Sequence, residues 1–190
     1  MKDMSQMPVA VKISVGPTIT LASGHVFDFL DPHSSRFEIE DIAHGLAHVC
    51  RYAGQCRDFY SVAEHSILVS EVVEDYQFEA LMHDAAEAFL GDVTRPLKQL
   101  LPDFKRIEAD VEDAIFERFG LNRDFKEVIK DADLRVLAAE QAQVMAPGTA
   151  DWAAEAGIVP AEIYVRYLTP REAKARFLER FRELSKNGTA

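Results

Sequence analysis

The feature that most constrains this chain is an adjacent histidine and aspartate, His83–Asp84, inside the apolar run from Ala80 to Leu90. The run is built from good helix formers, with no Gly or Pro before Gly91, and reads as a helix with a largely buried stripe. An imidazole and a carboxylate are costly to bury there unless something pairs with them. A divalent metal ion would use both. Glu87 follows one turn later, at i+4 from His83 and i+3 from Asp84, so on a helix all three face the same space. The pair alone also has a plainer reading, a helix-end Asp beside a hydrogen-bonded His, and other segments decide between the two.

Upstream, Ser61 to Val69 is a second helix start with His65 in its first turn. Ser61 followed by Glu64 forms the pattern of a capping box, which assigns Glu64 to the cap rather than to chemistry. Downstream, a helix over about 125–144 carries Asp133 in the apolar run Lys130 to Leu137. Between them, Gly91 to Lys98 closes the His83–Asp84 helix with a polar, basic loop.

The succession His65, His83–Asp84, Asp133 resembles the ligand pattern of the HD-domain metal-dependent phosphohydrolases. The local blocks Ala63-Glu64-His65-Ser66, His83-Asp84-Ala85-Ala86-Glu87 and Lys130-Asp131-Ala132-Asp133 are similar to the branch holding bacterial 5′-deoxynucleotidases and phage dATP triphosphohydrolases. The upstream stretch from Ile39 through Gly54, then Phe59 to Val62, looks closer to the phage type, and the resemblance covers roughly 18–143. It implies a mainly α fold, a single HD-type helical bundle, with His65, His83, Asp84 and Asp133 as metal ligands. Two imidazoles and two carboxylates suit a first-row divalent ion and leave positions free for water and a phosphate oxygen. Mn, Co, Zn, Fe and Mg all remain open. The resemblance also implies a catalytic Glu87 beside the reacting water, against the plainer reading of a solvated carboxylate near a helix end.

For substrate, the resemblance implies that Arg51 matches the family's substrate arginine, placed to hold a phosphate or base edge, that Tyr52 stands where a sugar could pack, and that Asp92 matches an acceptor for a sugar hydroxyl. Lys98 follows the Gly91–Asp92 turn and Lys130 sits one turn before Asp133, so each is either a phosphate contact or a plain surface cation. The expected activity is hydrolysis of deoxynucleotide phosphates, triphosphates slightly ahead of a 5′-deoxynucleotidase acting on monophosphates. A non-catalytic nucleotide-binding HD module is the alternative from another class. A structural zinc domain fits two carboxylates and no cysteine cluster poorly. His44 and His48 lie at i,i+4, but without an HExxH glutamate between them; a structural role competes with a place near the phosphates for His44, and His48 reads as structural. No histidine follows His83, so the additional histidines of cyclic-dinucleotide hydrolases and di-iron oxygenases are missing.

Composition limits the partners. The 190 residues are 48% hydrophobic, enough for one packed domain over 18–190 after a loose lead-in at 1–17. A formal charge of −11 argues against nucleic-acid or membrane-surface binding, so an anionic substrate must be drawn by local cations or a metal. Cys50 and Cys56 have no zinc-ribbon spacing and read as small buried hydrophobes in a reducing compartment. The N-terminus has no signal-peptide pattern and no run approaches a membrane span, so a cytoplasmic location is expected. The resemblance adds a homodimer or larger homo-oligomer, for which the amphipathic 103–119 segment offers a face.

The remaining elements follow from local pattern. Ile19–Leu21 and Val26–Phe29 flank a Gly24 turn as a small β-hairpin. Helices are expected over 39–50, from Ser61, over 78–90, 103–119 and 125–144, with a short strand at 164–168. A last helix is capped by Thr169, Pro170 and Glu172.

Overall fold

The computed structural model describes residues 16–124 and 126–187, so the lead-in lies outside the described residues apart from Gly16 and Pro17. The fold is mainly helical with one antiparallel hairpin. Strands β1 (Thr18–Thr20) and β2 (Val26–Asp28) pair with Ile19 opposite Phe27, one residue shorter at the turn side of β1 and the far end of β2 than the sequence suggests. Gly24 takes φ +87 in the turn, a backbone state glycine reaches without strain. The hairpin is pinned by Phe27, which is fully buried and stacks on Phe89 at 4.3 Å, and by Ser23 N donating to Asp41 Oδ1.

Helix α1 (Ile39–His48) starts with a reciprocal capping box between Glu38 and Asp41. It stops two residues before the expected Cys50, where the chain forms an isolated antiparallel bridge between Cys50 and Ser61. Helix α2 (Val62–Val72) is buried from Val62 through Ser70 and therefore has little amphipathic contrast. It is the central rod, packed by α1, by α3 (Gln77–Met82), by α7 (Lys126–Val144) and by α9 (Pro170–Asn187). Val62, Ala63 and Ile67 join one core with Phe27, Leu46 and Phe177, while Leu68 and Val69 join a second with Val136 and Val165. His65 sits on the rod between the two.

Three expectations need correction. The helix expected over 78–90 is broken into α3 and α4 (Glu87–Leu90), and His83–Asp84 lies in the turn between them. Ala85 N donates to Met82 O, Glu87 N to Asp84 O and Ala88 N to Ala85 O, so the ladder tightens to i→i+3 bonds without any Gly or Pro. The Ser61 cap forms, with Ser61 Oγ accepting from Glu64 N at 3.2 Å, but the Glu64 carboxylate does not return to the cap. It accepts instead from Arg166 N (2.6 Å) and Leu168 N (2.9 Å). That contact also explains the third departure: 164–168 runs without a strand partner among the described residues, because side chains satisfy its backbone. Val165 N adds a bond to Gln143 Oε1.

The short helices α5 (Arg95–Lys98) and α8 (Asp151–Glu155) occupy stretches read as loop or ambiguous. Helix α6 (Pro102–Phe119) ends at Gly120 in the left-handed region and points Val111, Ala114 and Ile115 into this chain's own core. The Thr169–Glu172 cap of α9 forms as expected. No helix among the described residues is long and apolar enough to cross a membrane.

Candidate metal centre

Three elements converge on one point. Helix α2 supplies His65, the tightened turn after α3 supplies His83 and Asp84, and α7 supplies Asp133. One ligand atom each from His65, His83 and Asp133 lies within 4.8 Å of the others, an arrangement that can hold a metal ion. Asp84 Oδ2 is 3.2 Å from His83 Nε2 and 3.5 Å from His65 Nε2, while Asp133 Oδ1 is 3.2 Å from His65 Nε2. Each imidazole has its other nitrogen engaged. His83 Nδ1 donates to the Ala80 carbonyl at 2.7 Å, an acceptor-only partner that fixes the tautomer. Both Nε2 atoms are buried and make no hydrogen bond.

Two buried nitrogens without hydrogen bonds, facing two carboxylates, are an expensive arrangement for a site that holds nothing. Burial opposes ionisation of Asp84, yet His83, His65 and Arg51 outweigh it and hold the carboxyl well below the usual range. Burial likewise disfavours a charged His83, but Asp84 and Asp133 push its pKa up to about 9. The same two carboxylates that favour a proton on His83 would favour a metal cation at this point, and the two would compete.

Glu87 opens α4 and is buried, with Oε2 lacking any hydrogen-bond partner. Burial first, then the nearby Asp84 and Asp92 charges, raise its pKa well above that of an ordinary glutamate. Lys98 Nζ lies 3.5 Å from Glu87 Oε1 and is itself bound by Glu108 at 2.5 Å. Lys98 is thus not a solvated surface cation: it bridges two carboxylates.

Arg51 reaches the edge of the centre, its Nη1 3.7 Å from Asp84 Oδ2, but its Nε and Nη2 both donate to Glu140 Oε1. Tyr52 lies in a left-handed loop with Ala53, φ 57 and 51, and spends its hydroxyl on Glu140 as well. Asp92 Oδ2 accepts the Tyr52 backbone N–H at 2.9 Å, so one of its oxygens holds that loop in place. Lys130 is exposed and lines a cleft of about 250 Å³ that runs from His83 and Asp133 past Lys126 and Glu112 over Phe116 and Ile129.

The other histidines lie apart. His44 stacks on His48 at 4.2 Å and lines a separate cleft against the hairpin with Asp41. His25 and His33 bond Ser23 and Glu117 at the surface. Cys50 and Cys56 are free and half-buried rather than fully buried. Sequence reasoning missed Glu140, Tyr60 and Glu112. Glu140 did leave a signal: it stands at i+7 from Asp133, a lone charge in the run Leu137-Ala138-Ala139.

No family model matches the chain. The uncharacterized protein YfdR of Escherichia coli K12 is 41% identical over 165 residues, covering 86% of this chain and 93% of YfdR. The chain belongs to the YfdR family. The uncharacterized protein RCAP_rcc00048 of Rhodobacter capsulatus is 36% identical over 179 residues, covering 84% of this chain and 91% of that protein.

Proposed function

We propose that this protein is a divalent-metal-dependent phosphohydrolase acting on deoxynucleotides, with His65, His83, Asp84 and Asp133 as ligands and Glu87 as the proton-transfer group. The observation that carries the reading is the set of three buried polar atoms without hydrogen bonds, His65 Nε2, His83 Nε2 and Glu87 Oε2, gathered around two carboxylates. A divalent ion bound there supplies polarisation of a phosphoryl oxygen and a lowered pKa for water. Glu87 Oε2, buried and without a hydrogen bond, would be the atom that takes up the proton of such a water, and burial with the Asp84 and Asp92 charges would favour that protonated form. Lys98 at Oε1 limits how far the carboxylate swings. Arg51 Nη1 remains the one guanidinium nitrogen without a Glu140 bond and faces the side where phosphate charge would lie. Lys126 and Lys130 supply cations along the adjoining cleft. The likeness of the local blocks to HD-domain nucleotide hydrolases supports the deoxynucleotide class, with triphosphates ahead of monophosphates.

The test is a panel of deoxy- and ribonucleoside mono-, di- and triphosphates with Mn²⁺, Co²⁺ or Mg²⁺, products resolved. Metal-dependent release of triphosphate or phosphate from deoxynucleotides, lost in Glu87→Gln, is the expected result. A protein that binds the ion and nucleotides but turns none over is a binding module instead.

A further inference from the structure

Glu140 lies two turns beyond Asp133 on α7 and is fully buried. A carboxylate in such a place survives only if donors saturate it. Here Oε1 takes Arg51 Nε (3.0 Å), Arg51 Nη2 (2.6 Å) and Tyr52 Oη (2.5 Å). Oε2 takes Tyr60 Oη (2.7 Å) and His65 Nδ1 (2.9 Å). Neutralising Arg51 needs only the first oxygen. The second oxygen has a different consequence, because a neutral imidazole owns one N–H. With that proton on Nδ1 and shared with Glu140, Nε2 is left as a bare lone pair. This is the same Nε2 that lies 3.2 Å from Asp133 Oδ1 and 3.5 Å from Asp84 Oδ2 without a hydrogen bond.

We propose that Glu140 is the positioning residue of the metal centre, fixing the His65 ring and tautomer through Oε2 while holding Arg51 against Asp84 through Oε1. The inference rests on the metal-centre reading above. Helix α2 alone would leave the His65 ring free to rotate about its Cβ–Cγ bond. Glu140 sets that rotation from α7, the helix that also brings Asp133, so the two ligands are placed by one rigid element. Carboxylates that orient a ligating histidine this way raise its basicity and are worth about 10- to 100-fold in metal affinity. Tyr60, fully buried, keeps Oε2 aimed at His65 by occupying its other side.

The experiment titrates Co²⁺ into metal-free wild type and Glu140→Gln, alongside far-ultraviolet circular dichroism of both metal-free proteins. A glutamine offers one acceptor oxygen and a donor amide, so it cannot satisfy Arg51 and His65 together. The expected result is Co²⁺ binding weakened about 10- to 100-fold with the helical signal retained. In parallel, side-chain ¹⁵N spectra of metal-free wild type, where no ion on Nε2 imposes the tautomer, should show His65 as Nδ1–H. Co²⁺ affinity equal in the two proteins within about twofold, or an Nε2–H His65 in the wild type, overturns the proposal. Should Glu140→Gln fail to fold, the wild-type tautomer decides alone. Wild type that binds no Co²⁺ refutes the metal centre itself and this inference with it, an outcome distinct from tight binding unaffected by the substitution.

Discussion

Gly45 offers a test that joins the packing to the chemistry. It lies inside α1, where helix propensity alone makes Gly→Ala stabilising by about 1 kcal/mol. In this fold the sign reverses. A Cβ at position 45 would fall 2.8 Å from Ala88 Cα, and closer still to the Ala88 carbonyl oxygen, so it meets the backbone of α4 rather than a side chain that can turn away. Carbon atoms at rest sit about 3.5–4.0 Å apart, which requires α1 and α4 to separate by roughly 1 Å. Overpacking of that kind costs about 1–3 kcal/mol, and the backbone contact puts it at the upper end. Subtracting the propensity gain leaves a net loss of about 1–2 kcal/mol, or roughly 2–8 °C in Tm for a chain of this size. Ala88 neighbours Glu87, so the displacement also carries the proposed proton-transfer group, and a misplacement near 1 Å costs on the order of 10²-fold in rate. Gly45→Ala should therefore melt earlier, lose far more turnover than metal affinity, and retain its helical signal. Thermal melts, Co²⁺ titration and turnover measure the three. A variant more stable than wild type with full turnover would refute the close approach of α1 and α4.

Further outcomes follow from the same structure. Glu87→Gln should retain metal and lose turnover by about 10²–10⁴-fold, the range for a general acid or base, and turnover close to wild type would return Glu87 to a structural role. A chelator should lower the melting temperature of the metal-loaded protein, because an ion held only by the native centre stabilises it by mass action; an unchanged melt would argue against the ligand set. Ala53→Gly should stabilise by a few tenths to about 1 kcal/mol in urea, since Ala53 at φ 51 bears left-handed strain that exceeds the extra chain entropy of glycine. Burial, with help from Glu108 and against Lys126, pushes the Glu112 carboxyl up to about 6 from its ordinary 4.5. The native state then holds that proton more tightly than the unfolded chain, so stability falls as pH rises through this window. Glu112→Gln should gain at most about 2 kcal/mol above pH 6 and nothing near pH 4, and an equal gain at both would exclude titration as the cause.

What was legible in the sequence, and what was not, divides by the range of the interaction. His83–Asp84 declared itself because two ionisable residues in an apolar run conflict locally, and the Gly24 turn, the Thr169 cap and the Gly120 stop are equally short-range. The break at 83–86 did not, since Ala85 and Ala86 are helix formers and the i→i+3 bonds there have no local residue signature. Glu64 satisfied a local pattern and spends its carboxylate on backbone about a hundred residues away, at Arg166 and Leu168. The pairing of Lys98 with Glu108 depends on α6 and had no signature in the local sequence.

The same logic separates the roles inside the candidate site. A metal ligand has to present a particular atom to a shared point, so it is drawn from residue types few enough to notice. The residue that orients a ligand has only to be a carboxylate of the right reach, and Glu140 is one of 32 acidic residues. Only its burial, with five donors converging from Arg51, Tyr52, Tyr60 and His65, sets it apart. That convergence also helps explain why Tyr52 and Ala53 can hold strained left-handed backbone. Asp92 and Glu140 both hold the loop, through the Tyr52 amide and the Tyr52 hydroxyl, and local strain at a site persists where surrounding contacts over-determine it. On the proposed reading, the loop and His65 share one buried carboxylate, so disturbing either should be felt by the other.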